Sequence, residues 1–174
     1  LGIKGINYKP ASTYKPPKIL VRKTGVGITA MLDYDGIYTN QVVYILRGIP
    51  EKQTNLEFYI GLINSRAYFF YLVKSFGELE WRTHPYLTQT QILNLPLPDI
   101  ESEKNKKIIQ EISQLLRPVL KKGIALPNEV DIAVEALVGK LFSFNEKDYR
   151  IIFNAIQESD ELIPIMELKK ITAT

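Results

Sequence analysis

Residues 56–73, LEFYIGLINSRAYFFYLV, constrain the fold of this chain more than any other stretch, because they form a long apolar run without a proline. Leu56, Tyr59, Ile60, Ile63, Ala67 and Phe70 recur at the three-and-four spacing of one helix face. Phe58, Leu62, Phe69 and Leu72 fall on the other sides, so a helix here is apolar nearly all round and needs cover over most of its surface. It is expected to be the centre of a domain. Asn64, Ser65 and Arg66 interrupt the run and are expected to form one polar edge facing a strand or solvent. The run is marginal in length for a bilayer span, and Glu57, Asn64 and Arg66 within it argue against one.

The 174 residues suit one domain with at most a small appendage, enough to bury a sizeable core. There are no cysteines, which excludes a disulfide framework, a thiolate nucleophile and a cysteine metal site. The single histidine, His84, leaves little room for zinc chemistry. No basic region followed by an apolar one opens the chain, so a cytoplasmic location is the default expectation. The leucine at position 1 suggests a fragment or excised domain.

The formal charge of +3 is unevenly spread. Lys4, Lys9, Lys15, Lys18, Arg22 and Lys23 precede the first acid, Asp33; residues 1–98 carry +5 and residues 99–174 carry −2. A one-sided excess of this kind suits a polyanion, although it also serves as a solubilising face.

Residues 1–17 show no period and read as a lead-in or linker ending in Lys15-Pro16-Pro17. Residues 18–24, 28–33 and 38–47 are β-branched or aromatic runs separated by Gly25-Val26-Gly27 and Tyr34-Asp35-Gly36, which predicts a three-stranded antiparallel meander. The first glycine pair leads into a strand rather than a helix, so it reads as a hairpin turn and not a phosphate cradle. Residues 74–90 have no clear period and interleave Phe76, Trp81 and Tyr86 with Lys74, Arg82 and His84, a mixture that suits nucleic acid or a surface loop packed back on the core. Residues 92–99 are bracketed by Pro96 and Pro98, which predicts an edge strand or an extended clamp.

Three helices should follow. Ile108, Ile109, Ile112, Leu115, Leu116, Val119 and Leu120 form the stripe of the first, which Pro118 should kink or end near Arg117. Val130, Val134, Leu137, Val138 and Leu141 mark the second, and Asn145 caps a third bearing Tyr149, Ile152, Phe153 and Ile156. Asp131 and Glu135 share a face that reads as solvated. No catalytic triad, paired carboxylates or metal spacing is present, so no catalytic, cofactor-binding or metal-binding residue is assigned.

The series KPPKILVRKT, ITAMLDYDGIYTNQVVYIL, YIGLINSRAYFFYL and THPYLTQTQILNLPLPDI resembles the TaqI-like C-terminal specificity domain of adenine-N6 DNA methyltransferases in restriction–modification systems, and it also resembles half of a type I specificity subunit. The likeness covers roughly residues 14–122, and ALVGKLFSFNEKDYRII is similar to the closing helices of combined restriction and modification enzymes. It implies that the chain reads DNA sequence while a separate N-terminal domain of the same parent binds S-adenosylmethionine and transfers the methyl group. The catalytic Asn-Pro-Pro-Tyr motif is absent, and Lys15-Pro16-Pro17-Lys18 is no version of it.

The expected fold is α+β: a small antiparallel sheet packed on a central buried helix, followed by a helical C-terminal extension. Residues 1–17 are expected to be the lead-in, 18–100 the target recognition core and 101–174 the extension. Double-stranded DNA is the expected partner, with the methyltransferase domain of the parent and a restriction subunit as further candidates. Lys18, Arg22, Lys23 and Lys74 are the expected phosphate contacts, and Trp81, Arg82, Thr83, His84 and Tyr86 the expected base readers. The rival reading is a protein-interaction domain that docks through the stripe at 108–120.

Overall fold

The structure, a computed structural model, describes residues 9–25, 27–49, 54–76 and 86–157. After a 3-10 turn at Ala11–Tyr14 come strands β1 (Lys18–Arg22), β2 (Ala30–Asp33) and β3 (Val43–Leu46). Helices α1 (Leu56–Ile63), α2 (Arg66–Phe76), α3 (Gln89–Leu93), α4 (Glu103–Lys122), α5 (Asn128–Leu141) and α6 (Glu146–Gln157) follow. The class is α+β, as expected.

The sheet is antiparallel but is not a meander, since its order is β2-β1-β3. Lys18, Ile19, Leu20 and Val21 are all buried. β1 pairs on both edges and so lies in the centre, and nothing in its sequence sets it apart from the equally apolar run at 42–46. Asp33 pairs with Lys18 at one end of β1, whereas Val43 pairs with Arg22 at the other. The connection 34–42 therefore crosses from one edge of the sheet to the other and runs the length of β1.

Strand alternation sends Ile19 and Val21 to one face and Lys18, Leu20 and Arg22 to the other. Ile19, Val21 and Leu32 join Leu56, Ile60 and Ile63 of α1 in the main core. The central apolar run is two helices, not one. Asn64 stops α1, and its side-chain amide donates to the carbonyl of Ala30 and accepts from the Ala30 N–H, both at 2.9 Å, so it covers the outer edge of β2. Ser65 restarts the helix by accepting the Tyr68 N–H at 3.2 Å. Gly61 lets α4 approach closely, as a Cβ there would lie 2.9 Å from Leu116 and 3.1 Å from Ile112.

Helix α4 continues through Pro118 and ends at Gly123, in the left-handed region. The proline deprives the Gln114 carbonyl of its usual donor, but Gln114 and Pro118 are both exposed, so solvent can hydrate that carbonyl and the helix persists. Ile112, Leu116 and Val119 are buried against the rest of the chain, so the stripe that the rival reading assigned to a partner is consumed internally. Residues 92–99 form no strand: the end of α3 is followed by a segment without regular secondary structure in which Leu95 and Pro98 are buried and the Pro96 carbonyl accepts from the Tyr68 hydroxyl.

Arg66, at the start of α2, is buried and meets Asp131 at 2.6 Å and Glu135 at 3.3 Å, and its backbone N–H donates to Glu135 at 3.0 Å. The face expected to be solvated is thus the acidic half of a buried network that joins α5 to α2. Asn145 caps α6 by accepting the N–H groups of Lys147 and Asp148. Among the described residues, no helix is long and apolar enough to cross a membrane.

Candidate nucleic-acid interface

The end of β1 that carries Arg22 brings the exposed Arg22 and Tyr86 together with the half-buried Lys23 and Tyr44. Arg22, the last residue of the strand, is exposed. Its guanidinium folds over Gly25, where a Cβ would lie 2.6 Å from Nη2 and where φ is +101°. Gly25 therefore serves both the turn and the arginine's position. Gly27 is equally constrained, with φ at +74° and the Phe69 ring filling the space a side chain would take.

Lys23 continues the strand, its N–H donating to Val42 at 3.0 Å, and its ammonium sits 4.3 Å from the centre of the Tyr44 ring. Thr24 bridges to Tyr86, and the Leu87 N–H donates to the Lys23 carbonyl at 2.6 Å. Tyr86 is 52% exposed, so its ring is presented while its backbone is fixed. Burial raises the Tyr44 phenol above its ordinary value, the Tyr86 hydroxyl beside it adds to the rise, and the Gln89 N–H opposes it. The Tyr44 phenol thus keeps its proton at neutral pH and remains a hydrogen-bond donor.

Among the expected site residues, Arg22, Lys23 and Tyr86 are brought together here. Lys74 is exposed in the last turn of α2. Trp81, Arg82, Thr83 and His84 lie outside the described residues. Lys18 has to be withdrawn from the phosphate contacts: it is fully buried, paired with the equally buried Asp33, and donates to the Tyr14 carbonyl at 2.8 Å. Its place in the middle strand opposite an aspartate takes it out of solvent. Asp33 also accepts from the N–H groups of Asp35, Gly36 and Ile37. Burial pushes the Asp33 carboxyl up, but the Lys18 hydrogen bond, the N–H donors of Asp35 and Ile37 and the Lys18 charge outweigh it and hold the group below its ordinary value.

Sequence reasoning missed Tyr44 and Thr24, whose roles depend on strand pairing. Among the described residues no group of three or more acids and histidines could hold a metal ion.

Fold and site together define an α+β module with a basic, tyrosine-flanked sheet end, equipment suited to a polyanion. The chain belongs to the family described as the TaqI-like C-terminal specificity domain, which matches residues 3–97, more than half of its length. That membership supports a role in DNA recognition within methyltransferase-type restriction–modification systems. No curated protein matches the chain. The family match stops at Leu97, yet Ile112, Leu116, Val134 and Leu137 beyond it share one core with Ile19 and Leu56 before it.

Proposed function

We propose that the chain is the target recognition part of an adenine-N6 DNA methyltransferase of a restriction–modification system. Methyl transfer then belongs to a separate N-terminal domain of the parent, which also binds S-adenosylmethionine. The observation that carries this reading is membership of the specificity-domain family. The residues described do not fit the cofactor: the sheet is small and antiparallel, and its glycine pair joins two strands instead of opening a helix beneath a phosphate or ribose. No step of the chemistry is assigned to them.

In this reading Arg22 and Lys23, with Lys74, hold the phosphate backbone, which positions the module without reading sequence. Tyr86 is anchored at Thr24, and we assign base readout to it and to Trp81, Arg82, Thr83 and His84, which precede it in sequence. An arginine can make two hydrogen bonds to guanine O6 and N7, and tyrosine or histidine can add single ones. Enzymes of this class extrude the target base, so the recognition part holds the flanking duplex while a cost of a few kcal/mol is met.

The phosphate assignment has a direct test. Since each contact releases close to one counterion, Arg22→Ala together with Lys23→Ala should flatten the slope of log affinity against log salt by about 2, and weaken all duplex sequences alike. Fluorescence anisotropy titrations across a salt series measure the slope. An unchanged slope assigns these cations to solubility alone.

A further inference from the structure

The opposite end of β1 carries a second arrangement that the reading above leaves unused. Tyr38, in the crossover 34–42, is 72% exposed, yet its ring is stacked on that of Tyr14 at 4.4 Å between centroids and 24° between planes. Tyr14 itself is buried. An aromatic ring in solvent that is nonetheless held in one orientation has already lost the conformational freedom that binding would otherwise remove.

The two rings are positioned by the same buried pair. The Lys18 ammonium donates to the Tyr14 carbonyl and to Asp33, and Asp33 in turn accepts from the N–H groups of Asp35, Gly36 and Ile37, the turn that delivers Tyr38. A buried ion pair is costly to desolvate, and here it fixes the bases of two tyrosines that meet at the surface. Lys15 is exposed next to Tyr14, and the exposed Arg47 donates to the Ser12 carbonyl of the same 3-10 turn. Asn40 and Gln41, further along the crossover, are also exposed.

We infer that the crossover 34–42 is a second DNA-contacting element, in which the Tyr38 ring packs against the duplex while Lys15 and Arg47 hold the adjacent phosphates. This rests on the DNA-recognition reading and extends it to the other end of the sheet. Arg47 follows Leu46, the partner of Ile19, and so stands level with Lys18, four strand positions from Arg22 or about 13 Å at strand rise. The major groove is about 12 Å wide. The Lys15 and Arg47 end and the Arg22 and Lys23 end are therefore spaced to meet the two phosphate backbones that border one groove, with the crossover lying between them. Between the two ends the crossover exposes Tyr38, Asn40 and Gln41 together with Asp35, Ile37 and Val42; the cations at both ends favour duplex DNA as the occupant, because its charge runs along both borders of a groove.

The test titrates the full chain into a fluorescein-labelled duplex of mixed sequence. Tyr38→Ala should weaken binding several-fold with the salt slope unchanged, and because it uncovers the Tyr14 ring it should also lower the melting temperature slightly, so binding is compared well below that temperature. Tyr38→Phe, which keeps the ring, should recover most of that loss. Lys15→Ala with Arg47→Ala should flatten the salt slope by about 2, a readout that does not depend on Tyr38. If the wild-type chain binds and is weakened by Arg22→Ala with Lys23→Ala, but is indifferent to Tyr38→Ala and to the Lys15 and Arg47 pair, this inference falls and the proposed function stands. If the wild-type chain does not bind duplex at all, both fall.

Discussion

Arg66→Met is expected to destabilise the chain by roughly 3 kcal/mol, since removing one partner of a buried ion pair leaves the others desolvated without compensation. Burial alone would lower the guanidinium's pKa, but the Asp131 hydrogen bond and the charges of Glu135 and Asp131 raise it, so the arginine is firmly cationic. With it gone, Glu135 loses its guanidinium partner and keeps the backbone N–H of residue 66, and Asp131, about a third exposed, turns to solvent. The partial exposure of Asp131 places the estimate at the low end of the range for buried pairs. Urea denaturation followed by circular dichroism measures the loss. The double change Arg66→Met with Glu135→Gln should cost less than the sum of the two single changes, because the second removes the charge that the first strands. Additive costs would mean that the network contributes nothing beyond shape.

Lys18→Met should be comparably damaging, again about 3 kcal/mol at neutral pH, because it strands the Asp33 carboxylate in the sheet. The pH dependence identifies the cause. Asp33 has its folded pKa depressed below the unfolded value of about 3.9, so its contribution is fully present above that value and is lost as pH falls through the folded pKa. In Lys18→Met there is no cation to gain from that ionisation. The stability gap between variant and wild type should therefore narrow as the pH is lowered below about 4. A gap that stays constant down to the lowest pH at which both fold would show that Lys18 acts through packing alone.

Much of the architecture could be read from residue order. The apolar run at 56–73 identified the helical centre because so many large side chains at helical spacing have no other stable placement, but it is two helices where one was expected. Of the polar residues inside it only Asn64 faces a strand, as expected, whereas Ser65 starts α2 and Arg66 turns inward to the acids of α5. The C-terminal helices followed from their periodicity and caps, and Asn145 caps α6 as its position implied. Strand order was harder to read. Three runs with tight turns fit a meander equally well, and only the pairing of β1 on both edges puts it in the middle.

The same limit governs the site. Charge counting treated Lys18, Arg22 and Lys23 as equivalent, although strand alternation and the aspartate across from Lys18 separate them: one lysine is interior, the arginine lies over a glycine turn and the other lysine lies over a tyrosine. Asp131 and Glu135 looked solvated because their partner is far away in sequence. Tyr44 and Thr24 carried no signal at all until pairing placed them beside Tyr86. Long-range pairing is what local sequence does not encode, and it decided each of these roles.

Whether this chain selects DNA by sequence is measured most directly by selection from a pool of duplexes with a randomised centre, using the wild-type chain and sequencing the bound fraction over successive rounds. The expected result is enrichment of one short sequence, with binding that weakens steeply as salt is raised. A bound pool as random as the input, or binding indifferent to salt, would contradict the proposed function.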